Sequence, residues 1–175
     1  MKVLFDTNVL LDVLLEREPH VHVATRLVAL VDNGRIEGSI CATAVTTLYD
    51  IGAKDLGRRR AHDQVRTLLS VFEVAAVDRD VLQRALDDDG FSDYEDAVAH
   101  EAAHAAGVGA IVTRNGRDFA KATIPVFEPL ELLAAIAARS DNGTARGRGV
   151  LSPVLRGRGC PQPWMALCPR AEDPS

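Results

Sequence analysis

The chain has 175 residues, 47% of them hydrophobic and 26% charged, and carries a formal net charge of −5. Those values exclude a disordered or fibrous protein and fit one globular domain, which at this size buries roughly 70% of its unfolded surface. The negative charge also excludes a broad electrostatic affinity for nucleic acid, so any contact with phosphate must come from a local patch.

In chain order, Val3-Leu4-Phe5 forms a short buried strand that ends at Asp6. Pro19 suits a first helical position, and Val21, Ala24, Leu27, Val28 and Val31 recur at helical spacing until Asn33-Gly34 stops the run. A strand over Glu37 to Cys41 leads into a helix over Thr43 to Ala53. Next come Lys54 and Arg58-Arg59-Arg60, which read either as a basic patch or as an ordinary solvated helix surface or turn. A helix over His62 to Ser70, a strand over Phe72 to Val77 and helices over Arg79 to Leu86 and Asp93 to Ala106 follow. Strands at Ala110 to Thr113 and Pro125 to Phe127 precede a last amphipathic helix, Pro129 to Ala138. Short apolar runs alternating with helical patterns specify an α/β domain on a largely parallel sheet.

Residues 1–138 are therefore read as the domain and 139–175 as a tail. The tail is rich in Gly, Arg and Pro, and Arg146, Arg148, Arg156, Arg158 and Arg170 outnumber Asp141, Glu172 and Asp173. Such a segment lacks the periodicity to bury a core, and disorder is the expectation. The alternatives are an RNA-touching tail, or a Trp164-Met165 element that docks on the domain or a partner. Three cysteines, Cys41, Cys160 and Cys168, are too few and too scattered for a disulfide framework, which fits a reducing compartment. Lys2 leads into three apolar residues and then Asp6, without the apolar core of a signal peptide, and no later run reaches membrane-spanning length. A soluble, cytoplasmic protein is expected.

Carboxylates supply the chemical signal. Asp6 leaves a strand at its carboxyl end, where ligand sites of open α/β sheets form, although an Asp there also caps helices. Phe91-Ser92-Asp93-Tyr94-Glu95-Asp96 opens an Ala-rich helix whose first-turn acids suit the positive end of the helix dipole. At 100° per residue Asp93 and Asp96 share a face, while Val98, Ala102, Ala105 and Ala106 point toward the core. Ile111-Val112-Thr113-Arg114-Asn115-Gly116-Arg117-Asp118-Phe119 brings Asn115 and Asp118 to the same rim, with Asn-Gly also serving as a turn.

Taken together, Leu4 to Asp12, Asp93 to Ala97 and Val112 to Phe119, followed by Pro125-Val126 and Pro129, resemble the PIN domain family over residues 2 to about 135. They look most like the VapC-type toxin nucleases of bacterial toxin–antitoxin pairs. The resemblance implies a three-layer α/β/α fold with a central, mainly parallel sheet and an acidic pocket at the strand ends. It further implies Mg²⁺, with Mn²⁺ as a substitute, cleavage of RNA, a cognate antitoxin and a homodimer. Carried over by position, Asp6 and Asp96 are the leading metal-binding and catalytic acids. Asp93 joins them as a metal ligand and Asp118 as a catalytic acid, with Asn8 orienting the first Asp. Two positions depart from the family. Thr47 stands where a Glu is usual, with Asp50 three residues on as a substitute, and Asn115 stands where many members have Asp. The rival reading that follows is a degenerate PIN domain that binds RNA or a protein without cutting.

Two further motifs compete. His100-Glu101-Ala102-Ala103-His104 matches the H-E-x-x-H pattern of zinc proteases, in which two His one turn apart bind Zn²⁺ and Glu activates water. A third His would fall at Ala110 and no later His follows, which leaves a downstream Glu128 or Glu131 as the third ligand of a zinc site. His100 and His104 also share the face of Asp93 and Asp96, so the alternatives are a supporting role beside the acidic pocket and, as the expectation, exposed or capping histidines. Val-Leu-Phe-Asp also opens aspartyl-nucleophile phosphatases, but those carry a second Asp where this chain has Asn8.

Overall fold

Three of the four residues of the first strand, β1 (Lys2–Phe5), are almost wholly removed from solvent: Val3, Leu4 and Phe5 are at most 1% exposed. That is the position of a central strand covered on both faces by helices. In this computed structural model, which describes residues 1–144 and side chains as far as Arg139, β1 is the middle of a five-stranded sheet of order β3-β2-β1-β4-β5. The partners are β2 (Glu37–Cys41), β3 (Glu73–Ala75), β4 (Ala110–Val112) and β5 (Val126–Phe127), and all four pairings are parallel. The expected class is therefore met.

The chain fills one side of β1 first and then crosses to the other. Helices α1 (Thr7–Leu14) and α2 (Val21–Asp32) connect β1 to β2, and α3 (Ala42–Leu56) and α4 (Arg58–Val71) connect β2 to β3. Helices α5 (Arg79–Asp87) and α6 (Tyr94–Ala105) then return the chain to β4, and α7 (Pro129–Thr144) follows β5. The reversal of strand order at β1 opens a crevice beyond its carboxyl end. Asp6 is the residue that enters it.

Helix α1 has no counterpart among the expected elements, for a physical reason. Val9 to Leu14 are all buried, Asp12 included, so the helix shows no polar face from which a 3.6-residue period could be read. Elsewhere the differences lie at ends. Helix α2 begins at Val21 rather than at Pro19, and Thr113 has already left the sheet. Gly57, at φ 85°, turns α3 directly into α4, which starts at Arg58 rather than at His62, so Arg58-Arg59-Arg60 form the solvated helix surface, one of the two readings. Helix α7 runs through Ala138 to Thr144, and the expectation for the tail beyond it lies outside the described residues.

The core is continuous through the sheet. Phe5 meets Phe72 edge to face, with ring centroids 5.0 Å apart, a preferred aromatic arrangement. Gly38 makes room for this pair, because a Cβ there would come within 2.6 Å of the Phe72 ring and 2.7 Å of Val31. No described helix is long and apolar enough to cross a membrane.

Candidate functional site

A cleft of about 270 Å³ opens at the carboxyl end of the sheet. Asp6 and Asn8 reach it from the β1–α1 junction, Thr47 from α3, Asp93, Glu95 and Asp96 from the start of α6, and Asn115 and Asp118 from the loop after β4. All the residues singled out from the sequence are thus brought together except Asp50. That residue is exposed on α3 and does not line the cleft, because one further helical turn has carried it past the rim.

Asp6 occupies the N-cap position of α1 yet makes no side-chain capping bond. Its Oδ2 instead accepts from Asn8 Nδ2 and Thr113 Oγ1, each at 2.6 Å. The same Asn8 nitrogen also donates to Thr113 Oγ1 at 3.1 Å, while Asn8 Oδ1 accepts from the Arg114 backbone N–H at 3.2 Å. Thr113 Oγ1 accepts in turn from the Asn115 N–H at 2.9 Å. The network fixes one oxygen of Asp6 and joins the end of β1 to the end of β4. Thr113 was not anticipated as a site residue. The signal for it was register: Phe5 pairs with Val112, so the next residues, Asp6 and Thr113, emerge side by side.

At the start of α6, Asp93 is the N-cap, and its Oδ1 accepts from the Glu95 N–H at 2.7 Å. Glu95, which the sequence reading left without a role, lines the cleft and receives a hydrogen bond from Thr47 Oγ1 at 3.4 Å. Thr47 thus faces a carboxylate instead of supplying one. Among the described residues no lysine or arginine lines the cleft. Burial, then the nearby charges of Asp6, Asp93, Asp118 and Glu95, push Asp96 up to about 7. Asp6 is raised as well, mainly by burial and further by Glu95 and Asp118, against the lowering effect of the Thr113 and Thr7 hydrogen bonds. Crowded carboxylates without a counter-charge are expected to titrate this way.

A family model for the PIN domain matches residues 2–117. The chain belongs to the PIN domain family. Solved structures agree in fold. The chain is similar to one from a toxin–antitoxin complex of Klebsiella pneumoniae, at 25% identity and a TM-score of 0.55, over 73% of this chain and 97% of that one. It is also similar to Mycobacterium tuberculosis VapC20, described as a sarcin–ricin-loop-cleaving toxin, at 17% identity and a TM-score of 0.57, over 70% and 95%. A third similarity is to VapBC2 of Rickettsia felis, solved with a promoter DNA fragment, at 15% and 0.57, over 73% and 98%. No curated protein sequence matches the chain.

The donor set of this PIN domain suits a hard divalent cation. Apart from Cys41, whose Sγ is paired with Thr43 Oγ1 at 3.1 Å, its donors are oxygens, it is strongly anionic, and among the described residues no lysine or arginine competes there. The carboxylates stand apart, since no three of their oxygens close to within 4.8 Å of one another. Such spacing fits an ion that keeps much of its water shell.

Among the described residues the tight group of three possible donors is Asp88, His100 and Glu101, outside the cleft. It is not the zinc centre that H-E-x-x-H would require. His100 is buried rather than exposed, against expectation, because α6 turns Ala97, Val98, His100, Ala102 and Ala103 inward while Ala105 faces solvent. Its ring lies 5.1 Å from Phe91, and its Nε2 accepts from the Thr123 N–H at 3.2 Å. A backbone N–H can only donate, so the ring proton sits on Nδ1, which faces Glu101 Oε1 at 3.2 Å. Arg84 holds the other Glu101 oxygen at 2.9 Å, and His104 is exposed and outside the group. His100 is a satisfied core histidine that pins α6 to the segment around Thr123.

Proposed function

We propose that the protein is a metal-dependent ribonuclease, the toxin of a toxin–antitoxin pair, working in the cytoplasm. The observation that carries this reading is the convergence of Asp6, Asp96 and Asp118, from three distant parts of the chain, in a cleft that no lysine or arginine among the described residues lines. The structural likeness to a toxin–antitoxin chain at 25% identity supports it.

Asp6 and Asp96 would hold Mg²⁺, or Mn²⁺ in its place, with Asp93 on the same rim. The bound ion supplies charge neutralisation at the scissile phosphate and a more acidic attacking water. Thr113 and Asn8 keep Asp6 Oδ2 occupied, so that the carboxylate presents its other oxygen in one orientation. Asp118 orients the attacking water and takes its proton, and Asn115 hydrogen-bonds the substrate. Hydrolysis leaves a 5′-phosphate and a 3′-hydroxyl. The nuclease unit is residues 1–138, with the tail outside it.

The antitoxin would cover this acidic rim. Tyr94, on the first turn of α6, and Leu82 and Leu86 on α5 form an exposed apolar edge near it, tied together by the Tyr94 hydroxyl donating to the Leu82 carbonyl at 3.1 Å. A homodimer completes the assembly.

The test is cleavage of RNA with and without Mg²⁺. Asp6→Asn and Asp96→Asn are each expected to lower the rate by at least about 100-fold, as loss of a group that stabilises developing charge does. Full Mg²⁺-dependent activity in either variant would refute the assignment. The degenerate reading rests on Thr47 and Asn115, and it predicts RNA binding without cleavage at any metal concentration.

A further inference from the structure

Helix α3 presents Thr47 to the cleft where the resemblance calls for a carboxylate, and the next acid on that face, Asp50, misses the cleft. A carboxylate nevertheless stands opposite Thr47, delivered from α6. We propose that Glu95 supplies the metal-facing carboxylate that α3 lacks, with Thr47 as the positioning residue that holds it. The inference rests on the reading of the cleft as a metal site.

Three observations support it. Glu95 Oε1 accepts a hydrogen bond from Thr47 Oγ1 at 3.4 Å, so its side chain crosses from α6 to the spot a longer acidic side chain on α3 would reach. Its backbone is fixed by the Asp93 cap, whose Oδ1 accepts the Glu95 N–H at 2.7 Å, which commits one Asp93 oxygen to capping. Its side chain lines the same cleft as Asp6 and Asp96. Glu95 is also exposed, and its side chain, one methylene longer than that of an Asp, can close on an ion from the rim.

A change of supporting helix has a direct consequence. If the carboxylate matters by position and not by origin, moving it back to α3 should restore the site. The experiment titrates Mn²⁺ alone into the full chain, without RNA, by calorimetry and by the Mn²⁺ paramagnetic resonance signal. The chains compared are the wild type, Glu95→Gln, Thr47→Val, Asp50→Asn, Asp96→Asn and the double variant Glu95→Gln/Thr47→Glu. Thermal unfolding in chelator verifies that each is folded, and Glu95→Asp stands in if Glu95→Gln is not.

Glu95→Gln is expected to weaken Mn²⁺ binding by about tenfold or more and Thr47→Val by a few-fold, the range seen when ligands or their supporting groups are removed. Asp50→Asn should bind as the wild type does, and the double variant should recover to within about threefold of it. Wild-type affinity in Glu95→Gln, or a folded double variant that recovers nothing, overturns the proposal. If Asp96→Asn also binds Mn²⁺ like the wild type, the cleft is not the metal site, and the failure belongs to the functional reading as a whole.

Discussion

Replacing Asp96 with Asn should make the metal-free protein more stable at neutral pH while destroying its activity. The folded-state carboxyl is pushed up to about 7, against 3.8 for a free aspartate. Between those values the folded protein binds more protons than the unfolded chain, so stability falls as pH rises through the window and levels off above 7. The whole displacement corresponds to about 4 kcal/mol at 1.36 kcal/mol per pH unit. Asp96 is partly open to solvent, and screening reduces the usable part to about 1–2 kcal/mol. Asn keeps the shape and removes the charge. In chelator at pH 8, Asp96→Asn should therefore melt about 2–8 °C above the wild type, with the gap narrowing as pH falls through the window and closing toward its lower end. Differential scanning calorimetry at several pH values measures it. A gap that stays constant from pH 5 to pH 8, or a less stable variant at pH 8, would refute the account of crowded carboxylates. Saturating Mg²⁺ should reverse the order, because the ion stabilises only the chain that binds it.

Thr113→Val removes one of the two donors to Asp6 Oδ2 and leaves Asn8 alone. Asp6 is already raised, and loss of that hydrogen bond raises it further. Cleavage should fall about tenfold, with the ascending limb of the pH–kcat/KM profile displaced to higher pH; an unmoved profile would show that Thr113 only packs. Arg114→Ala strands Asp12, which is fully buried and 2.9 Å from the Arg114 guanidinium. The expected loss in a urea melt is about 2–3 kcal/mol at pH 8, smaller as pH falls and the raised Asp12 carboxyl takes up a proton, and largely recovered by adding Asp12→Asn.

The sheet and its order of helices were legible because each strand is a short apolar run bounded by helical periodicity. Asp6, Asp96 and Asp118 were legible because they lie at strand ends or a helix start. What escaped did so where periodicity does not apply. Helix α1 is buried all round, so it carries no stripe. Asp93 was assigned the face of Asp96 by helical angle, yet as N-cap it has φ −113° and turns its side chain to the Glu95 N–H. Asp50 shares a helical face with Thr47, but a shared face says nothing of how far along the axis the cleft extends. Glu95 and Thr113 needed knowledge of which elements stand opposite one another, which is tertiary information. His100 illustrates the same limit, since its neighbours Phe91 and Thr123 come from either side of α6.

The place of β1 at the middle of the sheet also bears on the order in which the protein is made. A chain that has emerged only as far as β3 already contains Asp6 and Thr47, but the α6 acids come later in the sequence. Even when α6 is present, Asp6 lacks the Thr113 hydroxyl until β4 has paired against β1. The cleft thus becomes complete only after Thr113 has been synthesised and β4 has joined the sheet. For a protein whose finished cleft would cut RNA, late closure postpones the hazard to the ribosome that is still building it.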